Sequence, residues 1–230
     1  MDAMNALQYL HSQDMIHCDI KPANWLVDGR GEEAVIKLAD FGMAVQTDAK
    51  EIVGGSPVYM APEHLLAWRD MTDKFDHRTD IYSLGVVLYE MLMGYLPYEV
   101  LEAELSPAAL ALGENENNDI DDDRDDDIES VAKALLGLSV ADGQNDDSPT
   151  EDDNVEEEEE SIDYGYPVLD LRKLNDVTSD KPFYIPPPIF MEEISEEAED
   201  LIMRLMEPSL ANRITLEEAK DHEWFQKVRL

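Results

Sequence analysis

His17-Cys18-Asp19-Ile20-Lys21-Pro22-Ala23-Asn24 runs directly into Trp25-Leu26-Val27, an apolar stretch of strand character. Asp28-Gly29-Arg30-Gly31 is turn chemistry, and residues 34–38 return as a second strand, so a β-hairpin is predicted. Sixteen residues after Asn24 stands Asp40-Phe41-Gly42, and a loop bearing Gly and Pro then leads to Ala61-Pro62-Glu63. Each triplet alone is a weak signal, because a bare Asp-Phe-Gly arises often by chance. Their order and spacing, with a hairpin between the first two motifs, make the set specific.

Outward from this centre the chain reads as mostly helical. Upstream, Ala6, Leu7, Leu10 and Met15 supply an apolar stripe that Gln13-Asp14 ends. Downstream, residues 79–93 are apolar with few charges and predict a buried central helix. Ser195 is a good N-cap before Glu196-Glu197, with Leu201, Ile202, Leu205 and Met206 on one face. Thr215-Leu216-Glu217-Glu218 matches a capping box ahead of a last short helix. No internal repeat stands out.

The 230 residues suffice for a sizeable core. Lys and Arg number 17 against 54 Asp and Glu, a net charge of -37. A field that negative repels phosphate backbones and anionic lipid, which argues against direct nucleic-acid or membrane binding and for basic partners. The single cysteine, Cys18, leaves no intrachain disulfide and no cysteine-based zinc site; it fits a reducing compartment, so an intracellular location, cytoplasmic or nuclear, is expected. Met1-Asp2-Ala3-Met4 has no basic n-region, and the apolar stretch 84–96 is interrupted by Glu90 and too short to span a bilayer. The charge is concentrated. Residues 114–163 hold 22 acids against Arg124 and Lys133, a net of -20. Runs such as 121–127 and 156–160 repel themselves and bury nothing, so the stretch 113–165 is expected to be a disordered insertion, with a short helical island at 128–140. Two ordered blocks remain, 1–112 and 166–230.

The motif set resembles that of eukaryotic-type serine/threonine protein kinases, in their carboxy-terminal lobe. Residues 17–24 are similar to the catalytic loop, Asp40-Phe41-Gly42 to the metal-binding motif and Ala61-Pro62-Glu63 to the motif that closes the activation segment. Asp80-Ile81-Tyr82-Ser83-Leu84-Gly85 resembles the start of the central helix, Arg213 the late arginine that pairs with Glu63, and His222-Glu223-Trp224-Phe225 the end of the domain. The fold class implied is mainly α within an α+β family: a kinase-like lobe with a small hairpin and a long acidic insertion. The activity implied is transfer of the γ-phosphate of ATP, with Mg²⁺, to Ser or Thr of a protein substrate.

The resemblance also implies roles. Asp19 accepts or orients the substrate hydroxyl proton, and Lys21 contacts the γ-phosphate. Asn24 and Asp40 hold Mg²⁺, and Leu26 floors the adenine pocket, resting on Val87 and Met91. Ser56 sits where serine/threonine kinases place a hydroxyl that bonds the catalytic Asp and Lys; a phosphosite is its other reading. His17 and Phe41 stack in an apolar column, with His17 a packed core histidine rather than a base. Asp80 holds the catalytic-loop backbone, and Glu63 with Arg213 is structural. Glu90 reads either as a contact for a basic substrate side chain or as a solvated helix residue.

Two departures stand out. The given sequence has no Gly-rich loop, strand lysine or helix glutamate before residue 17, so the amino-terminal lobe is expected to lie in sequence outside it; the rival expectation is a non-catalytic interaction module that binds basic partners through the acidic insertion. Cys18 replaces the arginine that receives an activation-loop phosphate in the family. The usual phosphosite aligns with Ile52, and Thr47 is the remaining candidate. Residues 168–177 are the expected helix after the insertion, and Thr150 precedes an acidic run.

Overall fold

The computed structural model describes residues 1–30, 34–49, 54–68, 75–101, 167–171, 173, 185–191 and 193–228. The insertion 113–165, its island 128–140, Thr150 and Ile52 lie outside the described residues. In chain order the elements are α1 (Asp2–Ser12), β1 (Met15–Ile16), β2 (Trp25–Asp28), β3 (Val35–Leu38), β4 (Val45–Gln46), α2 (Pro62–Trp68), α3 (Arg78–Met93), β5 (Glu99–Leu101), β6 (Val168–Asp170), α4 (Glu196–Leu205), α5 (Leu216–Lys220) and α6 (Glu223–Val228).

Helix α3 is the axis. Its charges are confined to the first turn and Glu90, and Ile81, Tyr82, Val86, Val87 and Tyr89 are buried. It stops at Gly94, whose φ of 77° is a left-handed cap that glycine adopts without a Cβ penalty. Helix α4 crosses α3 at Gly85, where a Cβ would lie 2.8 Å from both Leu205 Cβ and Met206 Cγ. The amphipathic face of α4 supplies Ala198, Leu201, Ile202 and Leu205 to the core, and the Ser195 hydroxyl accepts from the Ala198 amide at 3.2 Å. Such a cap is worth about 1 kcal/mol. Thr215 and Glu218 complete the capping box of α5. Helix α1 buries Ala3, Met4 and Leu7 and ends at Gln13.

Among the described residues, three two-stranded ladders decorate the helices. The hairpin β2–β3 pairs Trp25 with Leu38 through Asp28 with Val35. β1 pairs antiparallel with β4, and β5 pairs parallel with β6. Two expectations are corrected here. Met15 is not on the α1 stripe: Asp14 turns left-handed at φ 56°, which breaks the helix and starts β1 at Met15. Residues 168–170 are not helical; they pair with β5 at Glu99↔Val168, and the β-branched Val168 directly after Pro167 suits an extended backbone. Among the described residues, no helix is long and apolar enough to cross a membrane.

Candidate active site

The loop between β1 and β2 is held from beneath by Asp80 at the start of α3. Its carboxylate accepts the His17 amide at 2.9 Å and the Cys18 amide at 3.0 Å, and His11 Nε2 of α1 lies 2.8 Å from the same group. Cys18 has a φ of 66°, an uncommon conformation for a residue with a side chain. The two amide bonds to Asp80 hold the backbone there, so Asp80 anchors the loop.

Asp19 then faces three donors. The Ser56 hydroxyl donates to Oδ1 at 2.8 Å, Lys21 Nζ lies 3.1 Å from Oδ2, and Asn24 Nδ2 donates to Oδ2 at 3.1 Å and to the Asp19 carbonyl at 2.7 Å. Burial pushes the Asp19 carboxyl up, but Ser56, Lys21 and Asn24 outweigh it and hold it below the usual carboxylate range. Asp19 is therefore ionised at neutral pH. Ser56 reaches this cluster because Gly55 lies against the loop that carries Asp19: a Cβ at Gly55 would sit 2.4 Å from the Cys18 carbonyl, and φ is +138°. No residue with a side chain fits there.

Asp40 comes alongside through the hairpin. Strand β3 ends at Leu38 opposite Trp25, and the Ala39 amide donates to the Asn24 carbonyl at 2.9 Å. Asp40 itself is exposed, left-handed at φ 55°, and its Oδ1 accepts the Gly42 amide at 3.1 Å. His17 lies edge-on to Phe41 with centroids 5.2 Å apart; its Nε2 faces the Ala39 carbonyl at 3.0 Å, which leaves it a packed structural residue. Leu26 is 55% exposed. The expectation that it rests on Val87 and Met91 is corrected: strand alternation turns Trp25 and Val27 into the core with Val87 and leaves Leu26 on the opposite, open face.

Arg213 forks onto Glu63, with a further bond to Glu63 from Thr79 Oγ1 at 3.1 Å. Tyr59, three residues past Ser56, donates to Glu90 Oε2 at 2.7 Å, so Glu90 is not a freely solvated helix residue. Burial raises the Glu90 carboxyl, partly opposed by Tyr59. Sequence reasoning missed the Tyr59 bond, the His11 and Thr79 contacts, and the role of His64 below. These are pairings between distant segments, and no local pattern announces them.

The Cys18 side chain is buried among Ile16, Ala67 and Phe75, with Met43 and Val45 packed against them. Burial pushes its thiol well above the ordinary range. An apolar contact thus stands where the family resemblance leads one to expect an arginine.

The sequence pattern described as "Protein kinase domain" matches residues 1–225. The chain belongs to the protein kinase family. It is 43% identical over 97 residues to the human serine/threonine-protein kinase ULK3, a match covering 41% of this chain and 19% of that protein. It is 38% identical over 116 residues to serine/threonine-protein kinase STY46 of Arabidopsis thaliana, covering 49% and 18%. Against MAP kinase kinase mkk-4 of Caenorhabditis elegans it is 42% identical over 100 residues, covering 42% and 26%. The matched stretches thus span about a fifth to a quarter of these relatives.

Proposed function

We propose that blocks 1–112 and 166–230 form the carboxy-terminal lobe of a serine/threonine protein kinase that transfers the γ-phosphate of ATP to a protein hydroxyl. The clasp of Ser56, Lys21 and Asn24 around the ionised Asp19 carries this reading. Asp19 orients the acceptor hydroxyl and takes its hydrogen bond, and Lys21 offers an ammonium to the γ-phosphate. Leu26 presents an apolar face to adenine. The pairing of Ser56 with Asp19, and Lys21 two residues after it, support Ser/Thr over Tyr acceptors, as do the names of two relatives.

The residues present fit Mg²⁺. The Asn24 amide nitrogen is committed to Asp19, which leaves its carbonyl oxygen as the donor, and Asp40 adds an exposed carboxylate; hard oxygen donors are what this ion takes. When bound, Mg²⁺ supplies positive charge against the phosphate oxygens. Asn24 and Asp40 would hold it.

The Gly-rich loop and strand lysine would come from sequence outside these 230 residues. Cys18 in its apolar cluster supports a lobe whose activation segment is not switched by phosphate. The location proposed is intracellular, cytoplasmic or nuclear. A second reading, a non-catalytic module that binds basic proteins and neither nucleic acid nor membrane, is favoured by the net charge of -20 over residues 114–163.

The test joins the chain to an amino-terminal kinase lobe and follows transfer from Mg²⁺-ATP to a generic basic protein. The expected result is phosphoserine and phosphothreonine from the joined protein, and none at a useful rate from the 230 residues alone. A joined protein that binds nucleotide yet transfers nothing, while the acidic stretch captures basic proteins in a salt-sensitive way, would favour the second reading.

A further inference from the structure

His64 of α2 is 0% exposed and takes no part in the chemistry above. Its Nε2 lies 2.9 Å from the Gly54 carbonyl, and its Nδ1 is buried with no partner among the described residues. A carbonyl can only accept, so Nε2 carries a proton; with no acceptor for a second N–H among the described residues and full burial disfavouring charge, Nδ1 is bare and the ring neutral. The ring also lies under Gly55, where a Cβ would be 3.3 Å from His64 Cε1 and 2.4 Å from the Cys18 carbonyl. Gly55 is therefore sandwiched between the imidazole and the catalytic loop, and Gly54 is tied to the same ring by its carbonyl. The next residue, Ser56, makes the 2.8 Å bond to Asp19.

We propose that His64 is a positioning residue that latches residues 54–56 onto the catalytic loop while its ring is neutral, and that its protonation releases them. The latch is a property of the fold; only its consequence, weaker presentation of Ser56 and of an acceptor to Asp19 in mild acid, rests on the kinase reading.

Protonation would place a second N–H in a fully buried site that offers it no acceptor among the described residues. Three carboxylates face the ring: Asp19 from the catalytic loop, Glu63 from α2 and Asp80 from α3. Each attracts a charge on the ring, yet each is engaged elsewhere. Asp19 is bound by Ser56, Lys21 and Asn24, Glu63 by Arg213 and Thr79, and Asp80 by His11 and two loop amides. Burial is the largest influence and holds the imidazole below its ordinary 6.5 against that attraction and the bond to Gly54. The sign follows from this depression. The latch contributes in full above the unfolded value near 6.5 and is lost as pH falls through the folded one. One proton changes the opening equilibrium by up to about tenfold per pH unit in that window.

Amide exchange on the full 230-residue chain reads this without any phosphotransfer. The probes are the Tyr59 and Met60 amides, bonded to the Ser56 and Pro57 carbonyls, with α3 amides as the internal reference. Protection factors, corrected for intrinsic rates, are compared between pH 7.5 and 5.5. The wild type should lose protection at Tyr59 and Met60 in acid while α3 does not. His64→Gln, which keeps an amide donor toward Gly54 and cannot titrate, should be protected at both pH values; His64→Leu should be unprotected at both. Equal pH dependence in wild type and His64→Gln overturns the proposal, as does wild-type protection in His64→Leu. Should the Leu variant not fold, wild type against Gln decides alone. Failure of the kinase reading would appear as absent phosphotransfer and would leave the exchange result untouched.

Discussion

Arg213 and Glu63, 150 positions apart in sequence, meet as a two-pronged pair with Nη1 2.5 Å from Oε1 and Nη2 2.9 Å from Oε2. Both side chains are buried, and the guanidinium also lies 5.0 Å over the Tyr82 ring. The pair ties the start of α2 to the segment before α5. Arg213→Ala should cost about 3–5 kcal/mol in urea unfolding, because it strands a buried carboxylate. Arg213→Lys should recover little, since one ammonium cannot reproduce two parallel bonds. A loss under ~1 kcal/mol for the alanine variant contradicts this account of the pair.

Gly85→Ala sets two effects against each other. Alanine gains about 1 kcal/mol of helix propensity. The new Cβ, however, would sit 2.8 Å from Leu205 Cβ and Met206 Cγ and 3.2 Å from the Met206 amide nitrogen, which is backbone and cannot swing away. Overpacking of that kind costs about 1–3 kcal/mol, so a net loss is expected in thermal unfolding, with α4 amides losing exchange protection first. A more stable variant would show that α4 moves aside freely.

Asp19 should titrate below the ordinary carboxylate value of 3.8, despite its burial, because Ser56, Lys21 and Asn24 favour the anion. Its folded value lies under the unfolded one, so the stability it contributes is present above pH 3.8 and is lost as pH falls through the folded value. Ser56→Ala and Lys21→Ala should each move the carboxyl upward, measurable by carbon-detected NMR titration. No movement in either variant would mean that other groups hold the anion.

In the protein joined to an amino-terminal lobe, Asp19→Asn and Asp40→Ala should each lower turnover by about 10² or more, as loss of positioning and charge stabilisation implies. Thermal midpoints should change little for Asp40→Ala, since that side chain is exposed. Rates within threefold of wild type for both would remove the assigned chemistry.

Phosphatase treatment and Thr47→Ala should leave that activity intact. Thr47 donates its amide to the Asp14 carbonyl at 2.9 Å next to the β1–β4 ladder, and the contact at Cys18 is apolar. Cys18→Arg, in contrast, should destabilise the fold, because it drives a charge into the cluster of Ile16, Ala67 and Phe75.

The parts of this fold that follow from local chemistry were legible in the sequence. The capping Ser195, the Thr215–Glu218 box, the hairpin and the apolar run of α3 all carry their cause within a few residues. So did the motif residues, whose spacing brings Asp19, Lys21, Asn24 and Ser56 together. What escaped depends on contacts far along the chain. Val168 joins a strand because Glu99 waits opposite, and His64 is latched only because Gly54 folds back onto α2. Leu26 was misplaced for a different reason: in a four-residue strand a shift of one residue reverses the face, and only the burial of Trp25 shows which way it turns.

The parallel pairing of β5 with β6 makes this fold a chassis with a socket at that ladder. Leu101 leaves the ladder and Val168 rejoins it about 8 Å away, judged from two residues of rise and one strand spacing. A foreign domain whose termini lie that close could be spliced between them in place of the acidic stretch, with α3, α4 and the catalytic loop untouched. A pair of fluorophores carried there would report on whatever the cassette binds.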